Sequence, residues 1–317
     1  MKTSVVLATY NGEKYIREQL LSIMNQSEKV DEVLIQDDCS KDKTLEICQD
    51  FIESNNLDWT VVKNEQNKGF ENNFISALKK VSGDIIFLCD QDDVWKEDKV
   101  QMMKKMMKDE KILSLASTVD LIDENGKVYL KHLKHPNSNY NGIKKITKKE
   151  FLSFFDYLGM TMAIRKSLVD CLDDEYDYDV SHDVLINFFA VKQDGFYFLD
   201  KALTKRRSVK ENYSYKVGKK EAEDLYEGNV RLRAIAHRNN YLKNLIKINK
   251  QDEIEDYNLI EKFIQANEIR IEYLSNRNIG NYLKDIKPIT KTYGMITYAK
   301  DGINILRTKC TSESKGK

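Results

Sequence analysis

What most constrains this chain is a regular alternation, over roughly its first ninety residues, of short β-branched runs with stretches of helical periodicity. Thr3–Thr9 (TSVVLAT) is apolar at nearly every position, as a strand is when helices cover both faces of a parallel sheet. A helical pattern follows from Gly12, with Tyr15, Ile16, Gln19, Leu20 and Ile23 at three-and-four spacing. Glu32–Gln36 reads as a second strand and Lys43–Glu53 as a second helix, with Ser40 or Asp42 placed to cap it. Trp59–Val62 and Asn72–Val81 repeat the pair, and Asp84–Cys89 (DIIFLC) is a fourth strand that runs directly into Asp90-Gln91-Asp92-Asp93. Parallel neighbours cannot be joined by tight turns and need crossovers, so the alternation predicts an α/β fold with a mainly parallel, helix-flanked sheet.

Beyond the fourth strand the pattern loosens. Leu113–Thr118 and Lys127–Leu130 read as strands around an Asn125-Gly126 turn, a hairpin signal. Lys131–Ile146, polar and carrying Pro136 and Gly142, reads as a loop, Met160–Ile164 and Gly195–Leu199 as strands, and Val180–Val191 as a helix. From about Lys216 the periodicity is wholly helical, over Lys216–Lys250, Ile254–Arg277 and a shorter piece from Thr292 to Leu306. A boundary in Lys210–Lys220 divides the chain into an α/β domain, 1–210, and a helical C-terminal region, 211–317. At 317 residues the chain exceeds the size at which one core usually stops growing, which agrees with a domain plus an appendage.

Composition excludes some classes. With 41% hydrophobic and 32% charged residues the chain carries enough apolar material for a core, and its zero formal net charge is unlike a general nucleic-acid binder. Five scattered cysteines, none in a Cys-x-x-Cys pair, argue for a reducing compartment and against a zinc finger or a disulfide scaffold. Met1–Leu7 lacks the basic and apolar regions of a signal peptide, and no run approaches the roughly 18 apolar residues of a spanning helix. The expectation is a cytoplasmic protein.

In open α/β sheets, ligands bind outside the carboxyl ends of the strands. Three polar clusters fall there: Thr9-Tyr10-Asn11-Gly12, Asp37-Asp38-Cys39-Ser40 and Asp90-Gln91-Asp92-Asp93. Each alone is equally explained as a turn or a helix cap; together, at one edge, they mark a site. Asp90 and Asp92 repel each other unless a cation neutralises them. Mg2+ or Mn2+ takes oxygens from one or two carboxylates and completes its shell with substrate phosphates, so this pair suits a diphosphate-linked substrate.

Taken in order, these clusters with Asn67-Lys68-Gly69 and Asp90-Gln91-Asp92-Asp93-Val94-Trp95 resemble the successive motifs of the family 2 glycosyltransferases, which have the GT-A fold. The likeness covers roughly the first hundred residues and extends more loosely to about residue 207. It implies that Thr9, Asn11 and Asp38 contact the nucleoside of a nucleotide-sugar donor and that Asn67 and Gly69 line its pocket. It further implies that Asp90 sits near the sugar or ribose and that Asp92 directly ligates the Mg2+ or Mn2+ bridging the diphosphate. Asp183, in Ser181-His182-Asp183, matches the family's acidic base; the bland alternative is a helix-cap carboxylate. Relatives often carry an aromatic-Arg-Gln-His segment followed by Asn, where this chain has Lys205-Arg206-Arg207-Ser208 and Asn212. Arg206 fits that loop and Ser208 departs from it, with Arg206 and Arg207 both candidates to pair with phosphate oxygens.

The Asp90–Trp95 string looks most like the branch of rhamnosyltransferases that build bacterial surface polysaccharides. That implies inverting transfer from dTDP-rhamnose to a hydroxyl of a lipid-linked glycan, with a UDP-hexose as the alternative donor. A sugar nucleotidyltransferase would need a Gly-rich phosphate loop after the first strand, which Tyr10-Asn11-Gly12-Glu13 is not. A degenerate nucleotide-binding scaffold is the non-enzymatic rival, and intact Asp90, Asp92 and Asp183 count against it.

Other features read as structural. His132 and His135 have ligand-like spacing but no partner pair, and Trp59 with Met102, Met103, Met106 and Met107 reads as packing. In the helical region Arg231, Arg233, His237, Arg238, Lys243 and Lys247 interleave with Leu232, Ile235, Leu242, Leu245 and Ile246, and Ile303–Lys309 is again basic and apolar. Two expectations compete there: peripheral contact with anionic membrane, or packing of the helices on one another or on a second subunit.

Overall fold

The apolar run Thr3–Thr9 is strand β1, every residue of it buried. In the computed structural model β1 pairs in parallel with β2 (Glu32–Asp37) on one side and β4 (Ile85–Asp90) on the other, and β3 (Thr60–Lys63) extends the sheet beyond β2. Helices α1 (Ile16–Met24), α2 (Thr44–Ser54) and α3 (Phe70–Lys80) make the crossovers. Val5 and Leu7 share a core with Ile16, Leu20, Cys48 and Phe51, while Val6, on the other face of β1, is equally closed to solvent. Burial on both faces is why these strands carry no polar alternation. The helix α2 starts at Lys43 without a side-chain cap; Asp42, one residue earlier, accepts from the Thr44 amide at 3.0 Å, and Ser40 binds Asp37 instead.

The structure describes residues 1–136, 142–172, 179–208, 230–248, 254–276 and 279–313. They belong to two units, Met1–Asp177 with Ser181–Val209, and Tyr178–Val180 with Lys210–Lys317. The expected boundary segment, Asn212 and the start of the helix expected from Lys216 lie outside the described residues.

Among the described residues of the first unit the sheet has ten strands in the order β3-β2-β1-β4-β9-β6-β10-β5, with β7 on β6 and β8 on β10. Here β5 is Val94–Trp95, β6 Ser114–Ile122, β7 Val128–Leu130, β8 Ile143–Lys145, β9 Ala163–Arg165 and β10 Phe196–Arg207. The first four strands run parallel; β9 then enters antiparallel between β4 and β6. Gly126, at φ 78°, turns the expected hairpin between β6 and β7. Helix α4 (Lys99–Met106) buries Met103, and Met107 follows it into the core with Met102 and Met106 packed alongside.

Several expectations fail locally. Strand β10 continues to Arg207, well past Leu199; register shifts between Leu199 and Thr204 break its alternation and mask the continuation in the sequence. Met160 belongs to a 3-10 turn, Gly159–Thr161, that precedes β9. The segment read as a loop contains β8, and α5 (Lys148–Ser153) follows on a Thr147/Glu150 capping box that was present in the sequence and missed. The helices α6 (Lys166–Val169) and α7 (His182–Lys192) complete the unit.

The second unit contains the helices Val230–Ile248, Ile254–Ser275, Ile279–Lys284, Ile286–Tyr293 and Met295–Glu313. The single piece expected from Thr292 is instead two helices, because Gly294 at φ 84° ends one and Met295 begins the next. Leu232 and Ile235 are core residues here, packed with Tyr273, Leu274, Ile289 and Ile305, so the apolar side of the basic helix faces inward and is not a membrane surface. Arg231 pairs with Asp301, which also accepts from Arg270 Nε at 2.8 Å and the Tyr273 hydroxyl at 2.6 Å. That buried network fixes where the last helix docks. No described helix is long and apolar enough to cross a membrane.

Candidate active site

The registers Thr9↔Asp37 and Ala8↔Asp90 bring three strand ends to one edge. Asn11 (φ 50°) and Cys39 (φ 65°) adopt left-handed backbone as the chain leaves β1 and β2. The Thr9 hydroxyl donates to Asp37 at 3.0 Å, the Asn11 amide donates to Ser40 Oγ, and Asn11 Oδ1 accepts from the Lys41 amide. The first two turns are thereby one hydrogen-bonded block.

Gln91, between the two aspartates, has a role that its position in sequence did not reveal. Its side-chain amide accepts from the Tyr10 N–H and donates to the Tyr10 carbonyl, both at 2.9 Å. A Cβ on Gly12 would lie 2.2 Å from Gln91 Oε1, so only glycine leaves room for this clamp.

The Asp38 carboxylate organises the third pocket element. Oδ1 accepts from the Lys68 amide at 2.8 Å and from Asn64 Nδ2 at 2.7 Å, and Oδ2 accepts from the Gly69 amide at 2.9 Å. Asn67 Nδ2 donates to the Asp38 carbonyl, and Gly69, at φ 79° with open space around it, starts α3. Thr9, Asn11, Asp38, Asn67 and Gly69 therefore sit together. Asp38 already fills three of its roughly four acceptor positions, and the Thr9 hydroxyl proton is committed to Asp37.

Asp90, Asp92 and Asp93 each offer an oxygen within 4.8 Å of the others. Asp93 is buried; its Oδ1 accepts from the Arg207 amide, and its Oδ2 has no hydrogen-bond partner among the described residues. Burial and the charge of Asp92 raise the Asp90 carboxyl to about 7. Burial raises Asp92 as well, and burial with its two neighbours holds Asp93 well above the usual carboxylate range. Crowded hard oxygens and an orphaned buried acceptor fit a divalent cation. Asp93 joins Asp90 and Asp92 in this set although only those two were singled out in the sequence.

The two arginines separate sharply. Both lie on β10 rather than in a loop, and neighbours on a strand point to opposite faces. Arg207 is 1% exposed and unavailable to a ligand, which corrects its reading as a phosphate partner. Its guanidinium donates to the carbonyls of Asp92 (2.9 Å), Asp123 (3.0 Å) and Glu124 (3.1 Å), pairs with Glu18 and lies 4.4 Å over Tyr15. Arg206 is half-buried, and its charge acts on all three carboxylates of the acidic cluster.

Asp183 lies in the first turn of α7, where Ser181 occupies the cap position. Its Oδ2 accepts from the Gly159 amide at 3.1 Å, its Oδ1 accepts from Ser181 Oγ and the Val184 amide, and its charge reaches Asp90. His182 is buried and stacked on Phe74 at 4.3 Å. His132 bonds Asp200 while His135 packs among Phe154, Tyr157 and Phe198, so the two do not form a metal pair.

The family model for glycosyl transferase family 2 matches residues 4–173, more than half of the chain and all three strand-end clusters. The chain belongs to glycosyl transferase family 2. It is 40% identical over 103 residues to the dTDP-rhamnosyl transferase RfbG of Shigella flexneri, a match covering 30% of this chain and 34% of RfbG. The chain thus spans about a third of that relative. Among solved structures, residues 1–349 of TarS from S. aureus, in complex with UDP-GlcNAc, align with a TM-score of 0.57 at 20% identity over 93% of this chain and 90% of that one. A mannosyltransferase of Pyrobaculum calidifontis, solved with GDP-Man and Mn2+, aligns with a TM-score of 0.56 at 15% identity over 100% and 88%. These likenesses establish the GT-A fold of the first unit's architecture.

Arg207→Lys should lower the unfolding free energy by about 1–3 kcal/mol, because an ammonium cannot reach the carbonyls held by the guanidinium fork and leaves some unpaired. Denaturant melts measure this; an unchanged midpoint would mean that the clasp is dispensable.

Proposed function

We propose that the chain is an inverting glycosyltransferase that moves a sugar from a nucleotide-sugar donor to an acceptor hydroxyl. The observation that carries the reading is the Asp183 carboxylate, oriented by Gly159, Ser181 and Val184 within electrostatic reach of the strand-end acidic cluster. Three of its roughly four acceptor positions are filled, which leaves one for a hydroxyl proton. The acceptor oxygen attacks the anomeric carbon as the bond from that carbon to the phosphate oxygen breaks. The bonding pair leaves with the nucleoside diphosphate, the proton passes to Asp183, and a single displacement inverts the carbon.

Asp92 and Asp90, joined by Asp93, would hold Mg2+ or Mn2+, which when bound offsets the charge of the leaving diphosphate. Arg206 would add positive charge beside it. Thr9 and Asn11 with Asp38 would meet the nucleoside, Asp38 chiefly through the turn it orders, and Asn67 and Gly69 would border the nucleotide. In this reading residues 1–210 carry the chemistry and 211–317 form a helical appendage.

For the donor we favour dTDP-rhamnose, supported by the identity to RfbG. A UDP-hexose is the second reading, supported by the likeness to the TarS complex with UDP-GlcNAc. The acceptor is a lipid-linked glycan of a bacterial surface polysaccharide, reached by peripheral contact with the cytoplasmic face of the membrane. Support for that contact comes from Leu283, Ile286, Met295, Ile296 and Ile303, large apolar side chains exposed among Lys284, Lys287 and Lys300 in the last helices. A second copy of the chain on the same face is the competing occupant.

Asp92→Ala should abolish metal-dependent donor binding in titration calorimetry; full transfer in excess chelator would sink the metal role. Asp183→Asn should cut kcat at least about 100-fold, with donor affinity and melting temperature nearly unchanged. Normal transfer by that variant would make Asp183 structural. Sedimentation with phosphatidylglycerol vesicles at moderate salt should carry the protein down, and Ile296→Asp with Ile303→Asp should release it; no sedimentation rejects the membrane reading.

A further inference from the structure

We infer that Lys99 is a positioning residue for the base: its side chain ties the segment after the acidic cluster to the turn that holds Asp183. Lys99 opens α4 and is 0% exposed, although lysine is among the residues least often buried. Its Nζ donates to the Met160 carbonyl at 2.6 Å and to Thr204 Oγ1 at 3.1 Å, and lies 3.9 Å from the centre of the Trp95 ring. It makes no ion pair among the described residues. The charges of Asp93 and Asp90 reach the amine without pairing with it, so its direct polar contacts are the two oxygens, and an apolar side chain of the same length would fill the space without making them.

The three contacts define what the amine links. Trp95 is in β5, directly after Asp90-Gln91-Asp92-Asp93. Thr204 is on β10, two residues before Arg206. Met160 is in the 3-10 turn whose Gly159 amide holds Asp183 Oδ2. That turn fits tightly against α7: a Cβ on Gly159 would lie 3.3 Å from His182 Nε2 and 3.4 Å from Asp183 Cβ. A shift of Met160 therefore moves Gly159, and with it the carboxylate. Burial pulls the amine down to about 7, yet its neutral form still has two hydrogens for the two oxygens, so the link holds in either form. The consequence is a fixed distance between the base and the acidic cluster, and a misplacement near 1 Å at a reacting group costs about 100-fold in rate.

This inference rests on Asp183 being the base, and the test separates the two. Lys99→Met keeps length and removes the donor; the melting temperature should fall modestly because two buried oxygens lose it, while at a temperature where the variant stays folded kcat falls about 10- to 100-fold and donor KM stays within about twofold. Because Lys99 acts through Asp183, adding Lys99→Met to Asp183→Asn should cost less than about threefold more. Losses that multiply in the double variant, or an unchanged kcat, overturn the positioning role while leaving the base assignment intact. Normal transfer by Asp183→Asn alone removes the base assignment and this inference with it. Should Lys99→Met not fold, Thr204→Val removes one acceptor at constant shape; it should lower kcat about 3- to 10-fold, again without further loss in the Asp183→Asn background. An unchanged kcat there overturns the proposal.

Discussion

A buried guanidinium holds the acidic corner of this molecule in place. Arg207 binds the carbonyl of Asp92 from beneath, its own amide binds Asp93, and its remaining donors reach the β6–β7 turn and Glu18 on α1. Without such a fastening, three carboxylates drawn together at a strand end would push the segment outward, since their mutual repulsion is least screened where burial is greatest. The positive charge therefore does structural service from a place no ligand reaches, and the neighbouring Arg206 remains to act on the open side. Adjacent positions on one strand thus divide holding and facing between them.

The turns after β1 and β2 use a different device. There, carboxylates and amides of the turns satisfy one another: Asp37 takes the first turn, Asp38 the third, and Gln91 bridges between the first turn and the acidic segment. Such mutual satisfaction is what lets irregular backbone sit next to a buried sheet without orphaned polar groups. In one half of the edge amide and hydroxyl donors satisfy the carboxylates, and the other half holds crowded carboxylates that a cation would relieve.

Much of the first unit was legible because buried parallel strands leave long β-branched runs, and crossovers leave helical ones. The sheet's second half was less so. β8 and β9 are three residues each, too short for a period to register, and β10 hides behind its bulges. Its misjudged end also hid the arginines: once Lys205, Arg206 and Arg207 are strand residues, alternation alone assigns one inward and one outward. Asp93 was visible as a third acid but not as a buried one, and the polar contacts of Lys99 span 61 and 105 residues, beyond any local pattern. In the helical unit the interleaved basic and apolar residues are the ordinary pattern of a packed helix, and only burial distinguishes that from a lipid-facing one.

The clamp from Gln91 to Tyr10 has a consequence for heredity as well as for geometry. The residue separating the two aspartates is not a spacer, and its amide requires a missing side chain at Gly12, some eighty positions earlier. The two sites are coupled: a side chain at position 12 would displace the Gln91 amide from Tyr10, so the clamp lasts only while position 12 is glycine. A chimera that transplants the acidic segment into a related scaffold lacking glycine in the first turn keeps the acids and gives up the clamp, whereas one that moves both carries a finished corner.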